Sequence, residues 1–269
     1  MNLTWFDANS WLIEAGEQRI LIDPWLVGNL VFSGMDWLVK GIRQDPANPE
    51  KSIDLEIPEN IDLILLSQGL ADHAHPQTLE KLDKSIPVVA SPDGAKVAIA
   101  HGFKQVTALD HGESLSLKGL NIQAFVGAPV GALKKENAYV MTFSEKGLRL
   151  YYEPHGYPDA EHLKEVGAVD VVITPMADID LLAVAPVIRG SAAAPELAEL
   201  LRPQVMLPTA QNGRVTYEGL LAPVIRETGG ADEWRSRFKA KGLDLQVVAP
   251  TSGETVTLDL QSAVRAERA

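Results

Sequence analysis

The sequence is most informative over the run Ile64-Leu65-Leu66-Ser67-Gln68-Gly69-Leu70-Ala71-Asp72-His73-Ala74-His75-Pro76. An apolar strand ends abruptly at small and polar residues, and Pro76 begins a helix, because a missing N–H costs nothing at the first helical position. Ligands bind at such strand-to-helix corners in α/β folds. The corner presents Asp72, His73 and His75, which are all candidate metal ligands or acid–base groups.

The same side chains also suit a structural role. Asp72 and His75 are of the type that caps a helix N-terminus, and His73 can be a half-buried imidazole with satisfied hydrogen bonds. The residues of this corner alone leave both interpretations open.

Strands and helices alternate on both sides of the corner. The pattern predicts strands at 3–6, 11–15, 19–22, 61–66, 88–90, 114–117, 121–126, 138–143, 148–152, 169–174, 204–207, 245–248 and 255–260. It predicts helices at 76–83, 93–101, 159–166, 194–201, 217–226 and 232–241. Two similar halves, each a mixed sheet with outer helices, predict an α/β fold built as a four-layer αββα sandwich. Since no linker divides the chain, a single domain over 1–269 is expected.

Composition limits the chemistry. The chain contains no cysteine, which excludes disulfides, thiolate nucleophiles and every zinc site that needs sulfur. Any metal must therefore be held by carboxylates and by some of the six histidines. The net charge of −12 disfavours a nonspecific grip on nucleic acid, so a small-molecule partner is expected.

Neither a secretory signal nor a membrane span is expected from the sequence. The N-terminus lacks a basic region followed by an apolar stretch, and no uncharged run is long enough to suggest a membrane span. A cytoplasmic location is therefore expected.

Several segments resemble the metallo-β-lactamase-fold hydrolases, in particular their ascorbate-phosphate-lactonase-like branch. The opening hairpins Leu3-Thr4-Trp5-Phe6-Asp7 and Ile20-Leu21-Ile22-Asp23-Pro24 are similar to those of that branch. Further similarities are His111-Gly112-Glu113-Ser114 before the meander and the strand-turn-strand that ends at Tyr152. The resemblance covers nearly the whole chain and implies a hydrolase on the four-layer sandwich.

The family's metal-binding residues are largely replaced. Its His-x-His-x-Asp-His motif corresponds here to Gln68-x-Leu70-x-Asp72-His73, so the two histidines that hold the first metal are lost. No histidine follows the strand near 122–125, and none lies at 208–212. The bridging aspartate of the family falls where this chain has Glu153-Pro154-His155-Gly156.

The resemblance still implies a reduced site. Asp72, His73 and His155 are predicted to hold one zinc, iron or manganese ion, with Asp72 and His73 as catalytic residues. Asp23 corresponds to a carboxylate that orients a ligand in the family. The sequence equally allows a metal-free pocket in which Asp72 and His73 act as an acid–base pair. The remaining candidates for a rearranged site are Gln68, Glu153 and Gln211.

Two functions are consistent with these residues. The first is hydrolysis of a small ester, lactone or phosphoester with at most one metal. The alternative is a non-catalytic descendant of the fold that binds a metabolite or a protein partner without metal.

Two apolar segments, 25–42 and 176–188, follow strands whose carboxyl ends face the expected site. Their apolar density predicts burial somewhere, either as a lid over a hydrophobic pocket, as a contact between copies of the chain, or as an extension of the core.

Overall fold

The fold is described from a computed structural model of the chain, over residues 1–32, 34–131, 134–181 and 185–261. In this part of the chain the strands are, in order, β1 (Asn2–Trp5), β2 (Trp11–Ala15), β3 (Gln18–Ile22), β4 (Leu30–Val31), β5 (Lys40–Asp45), β6 (Asn48–Ser52), β7 (Leu63–Leu66), β8 (Val88–Ala90), β9 (Val106–Ala108), β10 (Ser114–Leu117), β11 (Leu120–Val130), β12 (Lys134–Phe143), β13 (Leu148–Tyr152), β14 (Val171–Pro175), β15 (Ala177–Leu181), β16 (Ala185–Arg189), β17 (Val205–Thr209), β18 (Val215–Glu218), β19 (Ile225–Gly229), β20 (Gln246–Val247) and β21 (Thr255–Thr257). The helices are α1 (Pro76–Lys81), α2 (Pro92–Ala100), α3 (Ala160–Val166), α4 (Gly190–Leu201) and α5 (Ala231–Ala240), with a 3-10 turn at Ala222–Val224.

Two seven-stranded mixed sheets form the centre of the molecule. The first has the order β21-β1-β2-β3-β7-β8-β9, and the second has the order β10-β11-β12-β13-β14-β17-β20. Strands β3, β7, β8 and β9 run parallel, as do β13, β14, β17 and β20. Because parallel neighbours end at the same edge, each sheet offers an edge where loops from several strands meet.

The core has three layers of apolar side chains. Alternate residues of a strand face opposite sides of its sheet, so Leu65 packs between the two sheets whereas Ile64 packs beneath α1 and α2. On the far side, Val172 of the second sheet packs with residues of α3, α4 and α5, among them Trp234. This arrangement confirms the predicted αββα sandwich.

Two small sheets lie outside the sandwich. Ribbon A consists of β4, β5, β6 and β18, and ribbon B consists of β15, β16 and β19. The apolar segment 25–42 supplies β4 and the first half of β5 in ribbon A, and the segment 176–188 supplies β15 and most of β16 in ribbon B. Residues 33 and 182–184 of these segments lie outside the described residues.

The predicted helix at 217–226 is wrong. This segment instead contains the end of β18, a 3-10 turn and the start of β19. Two residues explain the difference: Gly219 has a φ of 104°, which no helix uses, and Pro223 lacks the N–H that a helix interior needs.

A buried ion pair connects ribbon A to the first sheet. The Arg43 Nε atom of β5 donates to Asp7 Oδ2 over 2.8 Å, and both side chains are fully buried. The guanidinium also donates to the backbone carbonyls of Phe6, Trp25 and Leu26. Phe6 and Asp7 follow β1, and Trp25 and Leu26 follow β3, so these contacts fix ribbon A against the first sheet.

Within the described ranges, none of the helices combines the length and hydrophobicity that crossing a bilayer requires.

Candidate metal centre

The carboxyl ends of β3 and β7 bring Asp23 and Ser67 together. Asp23 adopts the left-handed conformation with a φ of 42°, and its Oδ1 accepts a 2.7 Å hydrogen bond from the Ser67 backbone N–H. Its Oδ2 accepts from Ser67 Oγ, from the Tyr152 hydroxyl at 2.6 Å and from His73 Nδ1 at 2.7 Å. Asp23 therefore fixes the orientation of the His73 ring and directs its Nε2 away from the sheet.

Both ring nitrogens of His73 face carboxylates. Nδ1 faces Asp23, and Nε2 lies 3.1 Å from Asp72 Oδ2. Burial opposes a charge on His73, yet the carboxylates of Asp72 and Asp23 raise its pKa well above the ordinary value. The space between Asp72 and His73 therefore favours a positive charge, whether a proton or a metal ion.

His155 reaches the same place from the second sheet. It follows β13, and its ring centroid lies 4.9 Å from that of His73. Its Nδ1 lies 2.7 Å from Oε2 of Glu136. Burial lowers the pKa of His155, but the Glu136 carboxylate outweighs it, and the pKa is raised. Each of the two histidines is thus oriented through Nδ1 by a buried carboxylate.

Glu136 owes its position to a bulge in the second sheet. Val126 pairs with Asn137 and Pro129 pairs with Lys135, so two residues of β11 stand opposite Glu136 alone. The backbone N–H of Ala128, in this bulge, donates to Glu136 Oε1 over 3.0 Å. A Cβ on Gly127 would lie only 2.7 Å from Glu136 Cγ, so the bulge needs glycine there. The bulge therefore directs the Glu136 carboxylate toward His155.

Glu153 holds the loop that carries His155. Its carboxylate accepts hydrogen bonds from the backbone N–H groups of His155 at 3.0 Å and Gly156 at 2.6 Å. Burial and the neighbouring Glu136 carboxylate raise the pKa of Glu153 to about 7.

Three of these residues form a donor set for one ion. One ligand atom from each of Asp72, His73 and His155 lies within 4.8 Å of the others. Asp72 Oδ1 is buried and has no hydrogen-bond partner among the described residues. Burial opposes the charged form of Asp72, but His73 and His155 outweigh it and lower the pKa of its carboxyl group. One carboxylate and two imidazoles match the three-ligand sets of catalytic zinc sites, so the residues fit a single ion.

A cavity of about 380 Å³ opens beside the donor set. Asp72, Glu136, His155 and Gln68 are among the residues that line it. Apolar side chains from ribbon B and from the segments that connect ribbon strands also line it, including Phe32, Val39, Ile179, Ile188, Leu221 and Ile225. The apolar segments thus face the cavity, and its size falls within the range of small-molecule sites.

Comparisons with known proteins identify the family. The sequence profile of the Beta-lactamase superfamily domain matches residues 2–210. The chain belongs to the beta-lactamase superfamily. A UPF0173 metal-dependent hydrolase of Archaeoglobus fulgidus is 22% identical over 265 residues, which are 95% of this chain and 98% of that protein.

Solved structures share the fold of this chain. A possible metal-dependent hydrolase from Veillonella parvula has a TM-score of 0.70 at 14% identity and covers 96% of this chain and 99% of its own. An isothiocyanate hydrolase from Delia radicum gut bacteria has a TM-score of 0.69 at 15% identity, with the same coverage. The predicted membership of the metallo-β-lactamase-fold superfamily is confirmed.

The structure of this chain brings some of the predicted site residues together and separates others. Asp72, His73 and His155 meet, Asp23 bonds His73, and the Gln68 amide donates to Glu136 over 2.9 Å. Gln211 is not among the described residues that line the cavity; it forms a backbone bridge with Ala8 instead. His75 caps α1 by accepting from the Thr78 backbone N–H.

Four residues of the site are not predicted from the sequence: Glu136, Ser67, Tyr152 and Asn9. The Nδ2 atom of Asn9 lies 3.3 Å from His73 Nε2. The signal for Ser67 and Asn9 was available, since both are polar residues in otherwise apolar surroundings next to strands. Glu136 offered no comparable signal, because its position depends on the register of the bulge.

Proposed function

We propose that this chain is a hydrolase of small esters, lactones or phosphoesters that uses one divalent ion held by Asp72, His73 and His155. The observation that carries the proposal is the buried, unpartnered Asp72 Oδ1 atom beside two imidazoles whose Nδ1 atoms are bonded to carboxylates. A buried carboxylate oxygen without a partner is costly unless a cation occupies the space beside it.

The ion expected at this site is zinc, iron or manganese. Such an ion supplies Lewis acidity, which polarises a carbonyl or phosphoryl oxygen and makes water more acidic. Asp23 and Glu136 orient the two imidazoles, and Glu153 holds the loop of His155. The ribbons exclude water from the apolar part of the cavity and position the substrate beside Asp72.

A second ion is not part of the proposal. Gln68 and Leu70 stand where the family has two histidines, and the Gln68 amide is occupied by Glu136. The set of side chains that remains is sufficient for one ion only.

A second candidate function is ligand binding without catalysis. It is favoured by the hydrogen bonds that join Gln68 and His155 to Glu136, which form without a metal. In this case the same cavity binds a metabolite or a protein segment, and Asp72 and His73 form a charged pair.

Metal content separates the two functions. The full chain, purified without a metal-binding tag, is analysed for zinc, iron and manganese and then assayed on aryl esters, lactones and aryl phosphates. We expect about one equivalent of metal and hydrolysis that a chelator abolishes. Less than about a tenth of an equivalent, after reloading with each ion in turn, contradicts the metal-dependent function and favours the binding function.

Variants of the donor set test the ligands. His155→Ala and the isosteric Asp72→Asn should each lose most of the bound metal. The control is His162→Ala, which replaces an exposed histidine on α3 and should retain the metal. Circular dichroism shows which variants remain folded. Full metal retention by folded Asp72→Asn and His155→Ala would show that the ion is held elsewhere.

A further inference from the structure

We propose that the cavity accepts uncharged or cationic, largely apolar molecules and rejects anions. This inference rests on the proposed function for the reaction and narrows its substrates to carboxylic esters and lactones, to the exclusion of phosphoesters. The preference itself belongs to the cavity wall, so it can be measured without any reaction.

The charges of the wall are of one sign. Asp72, Glu136 and Asp180 line the cavity, and none of the described lining residues is lysine or arginine. The sequence at 33, 132–133 and 182–184, which interrupts the described ranges, contains only serine, alanine, leucine and valine. An anion that enters therefore meets carboxylates without a lysine or arginine beside them, and the His73 ring is already paired with both Asp23 and Asp72.

His155 does not reverse this balance. It is the one histidine among the described residues that line the cavity, and its Nδ1 already faces the Glu136 carboxylate at 2.7 Å. A divalent ion beside Asp72 would offset two of the three lining charges, and the Asp23 carboxylate lies directly behind His73. Two carboxylates, those of Glu136 and Asp180, therefore remain in the cavity wall besides Asp72 when the ion is bound. A phosphate monoester carries up to two negative charges at neutral pH and is disfavoured most.

The larger part of the wall is apolar. Phe32 and Val39 come from the connection between β4 and β5 of ribbon A, and Ile179 and Ile188 come from ribbon B. A charged group that leaves water for such surroundings loses its hydration, whereas an alkyl or aryl group gains from burial.

The hydrogen bond between Gln68 and Glu136 defines which way the Gln68 amide group is oriented. Its Nε2 donates to Glu136 Oε2 over 2.9 Å, so the opposite orientation would set its oxygen against a carboxylate. Its Oε1 is buried and has no partner among the described residues. Since this oxygen accepts hydrogen bonds and cannot donate one, a ligand that carries an N–H or O–H group is favoured over a carboxylate.

Three probes of equal size test the preference. We would measure binding of 4-phenylbutyramide, 4-phenylbutylammonium and 4-phenylbutyrate to the chelator-treated full chain by isothermal titration calorimetry. The amide and the ammonium should bind with saturation, and the carboxylate should bind at least about tenfold more weakly. Equal or tighter binding of the carboxylate overturns the proposal, as does the failure of all three probes to saturate.

Paired charge variants show whether the preference arises in the cavity. Leu70 lines the cavity and is 46% exposed, whereas Ile99 is 61% exposed on α2 and is not among the lining residues. Leu70→Arg should tighten carboxylate binding by about threefold or more, and Ile99→Arg should leave it unchanged. An equal effect of both variants would assign the discrimination to the overall charge of −12 and would overturn the proposal.

The two proposals fail in different measurements. Binding without metal reports only on the cavity, and metal content with chelator-sensitive hydrolysis reports only on the proposed reaction. Anion binding by the metal-free chain would leave the hydrolase proposal intact, whereas a chain without metal could still show the binding preference.

Discussion

The Nδ1 atom of His155 lies 2.7 Å from Oε2 of Glu136, a carboxylate that is fully buried on β12. His73 and Asp23 repeat this relationship in the other sheet, also at 2.7 Å. The carboxylate–imidazole pairs thus come from different sheets and converge on Asp72. A carboxylate that accepts from one ring nitrogen fixes the tautomer and raises the basicity of the other nitrogen.

Replacement of Glu136 by glutamine should weaken metal binding without removing a ligand. The amide keeps the shape of the side chain but loses the charge that orients His155. We expect zinc affinity to fall by about 10- to 100-fold, measured by competition with a chromogenic chelator. The matched variant Glu50→Gln, at an exposed position on β6, should leave zinc affinity unchanged. An unchanged affinity in Glu136→Gln would contradict the orienting role.

Asp23→Asn should destabilise the fold as well as the site. The carboxylate accepts from Ser67, Tyr152 and His73, and the amide cannot accept all of these bonds. We expect the free energy of unfolding to fall by about 3 kcal/mol in urea titrations. Tyr152→Phe, which removes a single donor, should cost about 1 kcal/mol. An equal loss of stability in both variants would contradict the idea that several hydrogen bonds depend on the Asp23 carboxylate.

Zinc should stabilise the folded chain through the proposed donor set. Binding only to the native state adds about 2.7 kcal/mol when free zinc is a hundred times its Kd, so Tm should rise. The measurement is a thermal unfolding scan at increasing zinc concentration. His155→Ala should show little of this rise, and His162→Ala should show all of it. A rise of the same size in both variants would assign the zinc to another site.

Arg43 should be needed to hold ribbon A. Arg43→Met leaves the Asp7 carboxylate buried without its partner, and we expect a loss of about 3–5 kcal/mol in the free energy of unfolding. The double variant Arg43→Met with Asp7→Asn removes the uncompensated charge and should recover part of this loss. Hydrogen exchange should show faster amide exchange in β5 of the single variant. Stability of the double variant below that of the single one would contradict this explanation.

Much of the architecture could be predicted from the sequence, because it depends on local patterns. The apolar run that ends at Leu66, followed by Pro76, defines a strand and a helix without reference to the rest of the chain. The retained Asp72 and His73 and the distant His155 were also predicted, and the structure brings them together. Their role as ligands, the single domain over 1–269 and the cytoplasmic location stay predictions.

The parts that could not be predicted depend on pairing between distant residues. Thr216 pairs with Ile42, more than 170 positions earlier, so no local pattern shows that the end of the segment 25–42 pairs with β18. Glu136 lies in an ordinary strand sequence, and only the extra residue of the bulge in the neighbouring strand directs its carboxylate toward His155.

The two ribbons and the segments that connect their strands contribute half of the described residues that line the cavity, whereas the donor set comes from the loops of the sandwich. The residues that would select a substrate and the residues that would bind the ion therefore lie largely in different parts of the chain. Grafting ribbon B from another superfamily member should change which molecules are admitted while the ion-binding residues stay as they are. The scaffold is in this sense modular, and its specificity can be redesigned independently of its chemistry.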